Sequence, residues 1–148
     1  MRSLGFILGD EGSGAALGRI FLGDAMKGIA PKALTSAFFE HFRVTIDDVM
    51  DAVYNNANAN RNLRTYAFFL AEHLDDEYVH DLIEKEFTRF FDRNICQYDN
   101  YRQYPLAFVG SVATTFSDIL LEVAAKFDVV VQKILRNSMP GLVTFHST

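Results

Sequence analysis

Asp10 and Glu11 lie side by side within a glycine-rich stretch, Gly9-Asp10-Glu11-Gly12-Ser13-Gly14. Ionised carboxylates accept hydrogen bonds and carry charge. The pair therefore suits sugar hydroxyls, a metal ion or a catalytic proton, and would repel a bare phosphate. The glycines let a ligand approach the backbone closely. Ser13 stands at the N-cap position of a following helix, whose first N–H groups are unpaired and whose dipole end is positive. The same residues also read as an ordinary capped helix start with acids at the positive end. The tight turn serves either use.

A second glycine turn, Gly110-Ser111-Val112, follows the apolar run Pro105-Leu106-Ala107-Phe108-Val109. A ligand there would sit at the carboxyl end of a strand, where open α/β sheets place their ligands. The other chemistry-bearing residues are scattered. Arg19, about one helical turn past the first loop, could reach a phosphate; a structural pairing with Asp24 is the expectation. His41, His73, His80 and His146 show no metal-ligand spacing, so no metal site is assigned. His73 with Asp76, and His80 with Glu84, fit surface pairs on helices. Cys96 follows a phenylalanine-rich stripe and is expected to be a buried small hydrophobe. The asparagine-rich run Asn55 to Asn62 reads as a turn and helix cap.

Positioning the two turns requires strands before them and helices after them. Leu4 to Leu8 predicts a buried strand, and Ser13 to Met26 the helix that leaves the first loop. Pro31 suits the first turn of a second helix reaching Phe42. Thr45 and Asp48 form a capping-box start for a third, with Ile46, Val49, Met50 and Val53 on one face. A fourth runs from about Leu63 to Leu74 and a fifth from about Asp76 to Ile95, striped by Val79, Ile83, Phe87, Phe90 and Phe91. Tyr98 to Tyr104 is a polar aromatic link, the best candidate for an exposed connection. The last third predicts a strand at 105–109, a helix bearing Phe116, Ile119, Leu120, Val123, Ala124 and Phe127, and a strand at 129–135. Such strand–helix–strand crossovers are right-handed in nearly all sheets. Ser138-Met139-Pro140-Gly141 opens a short final segment.

The whole chain has 148 residues, 49% apolar and 22% charged, with 14 phenylalanines, no tryptophan and a net charge of −5. That is enough for one domain with a core. An acidic balance gives no electrostatic footprint for nucleic acid or an anionic membrane. No run approaches the ~20 apolar residues of a transmembrane helix, and the N-terminus lacks the pattern of a signal peptide. One cysteine allows no disulfide within the chain, which fits a reducing cytoplasm.

Gly9-Asp10-Glu11-Gly12-Ser13-Gly14 with Leu17-Gly18-Arg19 resembles the signature of N-acetylglucosamine kinases and the related BadF/BadG-type ATPases, within the actin, heat-shock chaperone and sugar kinase superfamily. Ala107-Phe108-Val109-Gly110-Ser111-Val112-Ala113 is similar to that family's adenosine motif, with Ser111 where a second glycine is more usual. Two motifs in register make the resemblance specific, and it extends through Asn60-Arg61 to Met139-Pro140-Gly141-Leu142.

The resemblance implies an α/β chain forming the C-terminal, ribonuclease H-like (actin-like ATPase) half of a two-domain kinase. Residues 1–148 would be a single domain with an incomplete mixed sheet, a helical insertion at about 15–100 and a βαβ unit at about 105–135. It implies ATP-dependent phosphorylation of a hexosamine hydroxyl, with Mg2+ bridging the phosphates. Gly9, Asp10, Glu11, Gly12 and Ser13 would hold the sugar, and Gly110, Ser111 and Val112 the nucleotide. The phosphate-binding Asp-x-Gly and Gly-Thr-Gly motifs and the aspartate base belong to the half this sequence does not match. No catalytic residue is therefore expected here, and the chain alone is expected to be inactive.

Partners would be an amino sugar and ATP, together with the missing N-terminal half or further copies of the chain; no nucleic acid or membrane partner is expected. Two other readings stand beside this one. The chain could be a non-catalytic sugar- or nucleotide-binding or oligomerisation module, since an uncovered sheet edge invites pairing. It could also be a fragment of a BadF/BadG-type ATPase bridged by an iron–sulfur cluster, for which Cys96 is the one available ligand.

Overall fold

Local sequence signals set where the helices begin. The structure, a computed structural model, describes residues 9–137. The chain divides into two compact units, residues 1–86 and 87–148. The first contains α1 (Gly14–Met26), α2 (Lys32–Phe42), α3 (Ile46–Tyr54), α4 (Ala59–Phe69), a 3-10 turn at Leu70–His73, and the start of α5 (Glu77–Arg93), within which the division falls. Ser13 caps α1, accepting from the Ala16 N–H at 3.0 Å. Pro31, expected in the first turn of α2, stands just before it as the N-cap. Thr45 and Asp48 close a full capping box on α3. The Asp76 carboxylate accepts from the Tyr78 N–H at 2.8 Å at the start of α5.

The core of this unit is aromatic. Phe38 is fully buried, and its ring lies 5.4 Å from Phe21, 5.3 Å from Tyr66 and 5.5 Å from Phe69, edge-on to each. Burying each such ring contributes roughly 1.5–3 kcal/mol. These packed faces hold α1, and hence the loop at its N-terminus.

Three expectations shift. α4 begins at Ala59, inside the asparagine run, because the Asn56 side chain closes the preceding turn on the Asn58 N–H at 2.8 Å. Asn62, already helical, donates its side-chain amide to the Ala52 carbonyl at 3.0 Å and ties α4 to α3. The proposed apolar face of α3 is split. Val49 is buried, whereas Ile46 is 56% and Met50 44% exposed. Asp24 accepts from the Tyr78 hydroxyl at 2.6 Å rather than pairing with Arg19, which is exposed.

The second unit carries β1 (Leu106–Val109), α6 (Ser111–Thr115), α7 (Ser117–Lys126) and β2 (Val131–Leu135), after 3-10 turns at Ile95–Gln97 and Tyr101–Gln103. β1 and β2 are parallel, with Phe108 opposite Ile134 and Val109 opposite Leu135. The crossover demands this orientation, because parallel neighbours need a long connection. The described pair is parallel; the strand expected at 4–8 lies outside the described residues, as does the tail from Ser138. Phe91 stacks on Phe127 at 5.3 Å, and Phe91 and Phe90 both meet Phe108. The helix expected after Gly110 is broken at the buried Phe116. A β-branched run, Val112, Thr114 and Thr115, is a poor helix former, and Thr114 bonds back to the Gly110 carbonyl. Cys96 is half-buried rather than buried. The Cys96 thiol beside Tyr101 is the largest influence raising that phenol's pKa.

Candidate functional site

The Asp10–Ser13 segment is a closed turn. The Ser13 N–H donates to the Asp10 carbonyl at 3.1 Å, and Gly12 takes φ 77, a conformation suited to glycine at the third position of a turn. The Ser13 hydroxyl donates to Asp10 Oδ2 at 2.6 Å while accepting from α1. One serine thus caps the helix and holds the carboxylate. Asp10, Glu11, Gly12 and Ser13 are all half-buried, open enough for a ligand yet fixed from behind. Asp10 has a second oxygen, the natural acceptor for a hydroxyl donor. Gly9 forms a bend just before the turn.

The residue that sequence reasoning missed is Glu86. It is 3% exposed, the one buried charged or polar residue among those described, and its Oε2 accepts from the Gly12 N–H at 3.3 Å. Glu86 comes from α5, 74 residues along the chain from Gly12. Its signal was available. Val79, Ile83, Glu86 and Phe90 follow each other at helical spacing, so a carboxylate stands in phase with an apolar stripe.

The second candidate segment belongs to the other unit. Gly110 has φ 134 and ψ 164, a conformation essentially reserved for glycine, and continues the ladder by donating to the Leu135 carbonyl at 2.8 Å. A methyl group on Gly110 would meet nothing within 4 Å, so the backbone there is open on that side. Ser111 and Val112 are half-buried at the start of α6.

Outside these segments, the side-chain ligand atoms of His80, Asp81 and Glu84 gather within 4.8 Å of one another on α5. His80 Nδ1 lies 3.5 Å from Glu84 Oε2, the expected helix-surface pair. His73 packs its ring on Phe69 at 4.6 Å. Among the described residues, no helix is long and apolar enough to cross a membrane.

No protein-family model matches the chain, and no curated protein matches it. Among solved structures, the chain is similar to a Porphyromonas gingivalis protein provisionally named an N-acetylglucosamine kinase. The two are 39% identical with a TM-score of 0.94, over 99% of this chain and 51% of that protein. The chain therefore spans about half the length of the protein it matches. The comparison shows that the chain shares the fold of about half of that protein over essentially its own whole length.

Proposed function

We propose that this chain is the C-terminal, ribonuclease H-like half of an ATP-dependent sugar kinase of the N-acetylglucosamine kinase type, working in the cytoplasm. The observation that carries the reading is the Asp10–Ser13 turn. It is a half-buried acidic loop, locked by Ser13 and Glu86, in a chain 39% identical over nearly its whole length to a protein named for that activity.

Asp10 and Glu11 would accept hydrogen bonds from sugar hydroxyls. Charge-assisted bonds of this kind are about twice as strong as neutral ones. Gly9, Gly12 and Ser13 would shape the turn around the sugar. The open backbone of Gly110, with Ser111 and Val112, would pack against the nucleotide. In phosphoryl transfer the protein contributes chiefly positioning and charge neutralisation. Mg2+ would enter with the nucleotide and supply charge neutralisation at its phosphates. Gly110, Ser111 and Val112 offer no carboxylate, so no ligand to Mg2+ is assigned in this chain. The proton acceptor for the sugar hydroxyl is assigned to the half of the related protein that this chain does not span.

The test is a coupled assay of ADP formation with N-acetylglucosamine and Mg-ATP. The chain alone should give no turnover, and its mixture with the N-terminal half of such a kinase should. Turnover by the isolated chain would overturn the division of labour.

A further inference from the structure

We infer that Glu86 is the positioning residue of the Asp10 loop, the group that selects one of the two orientations open to the turn's central peptide. This rests on the reading of that loop as a sugar site. The Glu11–Gly12 peptide lies at the middle of the Asp10–Ser13 turn, and a central turn peptide can rotate between two states that share the same end-to-end hydrogen bond. Glycine at position 12 tolerates both.

The ties within the loop leave that choice open. The Ser13 N–H to the Asp10 carbonyl, and the Ser13 hydroxyl to Asp10 Oδ2, join the ends of the turn and not its middle. The Glu86 carboxylate instead accepts from the Gly12 N–H itself and holds φ at 77. Rotation of this peptide would exchange the places of the Glu11 carbonyl and the Gly12 N–H, and so change which backbone group the turn presents beside its two acidic side chains.

A carboxylate at 3% exposure is costly to bury and is retained only where it is hydrogen-bonded. Its position on the α5 stripe would otherwise suit a hydrocarbon. Glu86 touches the loop's backbone and would act on a sugar only through it.

The experiment measures amide hydrogen exchange at Gly12 and calorimetric binding of N-acetylglucosamine in the unaltered chain, Glu86→Ala, Glu86→Gln and Val79→Ala. Losing a hydrogen bond to a charged group should speed Gly12 exchange and weaken sugar binding, each by about tenfold or more, in Glu86→Ala. Glu86→Gln keeps an acceptor oxygen and should recover most of both. Val79→Ala, two turns earlier on the same helix, should leave Gly12 exchange relative to the amides of α1 unchanged. Unaltered Gly12 exchange in folded Glu86→Ala, or an equal effect from Val79→Ala, would overturn the inference. If the unaltered chain takes up no sugar, the sugar reading fails by itself, and the exchange measurement still decides whether Glu86 holds the turn.

Discussion

Gly18 of α1 lies directly against the Leu63 backbone of α4, so close that a methyl group at residue 18 would come within 2.0 Å of the Leu63 carbonyl oxygen. The contact is backbone, not the end of a flexible side chain, so the helices themselves would have to separate. This explains the glycine at the centre of Leu17-Gly18-Arg19: it sets the distance between the site's helix and its main support.

Gly18→Ala should therefore destabilise the protein at the upper end of the about 1–3 kcal/mol usual for overpacking. Gly23, on the same helix, has nothing within 4 Å of the place a methyl would occupy. Gly23→Ala should stabilise by about 0.5–1 kcal/mol, because alanine loses less backbone entropy in a helix. Urea unfolding of both variants checks the contrast, and equal effects would refute it.

Ser13→Ala removes both the helix cap and the donor that holds Asp10. Loss of the cap should cost about 1 kcal/mol. The freed Asp10 side chain should also weaken sugar binding, beyond what the stability loss explains. Ser13→Thr, which keeps a hydroxyl, should recover part of both. Chemical denaturation and calorimetry on the same preparations separate the two effects.

How far the sequence could be read differs between the two ends of that contact network. Local devices were legible: Ser13 as a cap, the Thr45–Asp48 box, the turn at Gly110. Each works within a few residues, so type and spacing suffice. The strand pair was legible because strand-like stretches at 105–109 and 129–135 flank a helical pattern, and the strands form at 106–109 and 131–135. The phase of Glu86 on the apolar stripe could be read, but its partner Gly12 could not, nor could Leu63 as the neighbour of Gly18, because packing alone brings these residues together. The start of α4 was misplaced because asparagine favours turns, and here Asn62 found a tertiary partner in Ala52. The solvent-facing half of α3 was misread because periodicity shows a stripe and not what covers it.

Asp48 offers a pH-dependent prediction. Its carboxylate accepts from the Thr45 N–H at 2.8 Å, and that bond, then the one to the Thr45 side chain, holds its pKa below the ordinary 3.8. A carboxyl whose folded pKa is lowered stabilises the fold above its unfolded pKa and loses that contribution as pH falls through the folded value. Thermal unfolding of Asp48→Ala should thus fall short of the parent near neutral pH, and the gap should narrow below about pH 4. A gap that widens in acid would contradict the capping role.

Gly110→Ala tests the second turn. With φ 134 and ψ 164, alanine would be strained by about 1–3 kcal/mol even though its methyl meets open space. The loss should appear in chemical denaturation. If the backbone here also packs on a nucleotide, Mg-ATP should stabilise the parent against heat and the variant less.

Calorimetric titration of N-acetylglucosamine into the folded chain, beside Asp10→Ala, tests the central claim most directly. Saturable binding is expected, weakened by about tenfold or more in Asp10→Ala, the loss that goes with a hydrogen bond to a charged group. No saturable heat from the folded chain, or equal binding by Asp10→Ala, would contradict the assignment of the Asp10 loop as the sugar site.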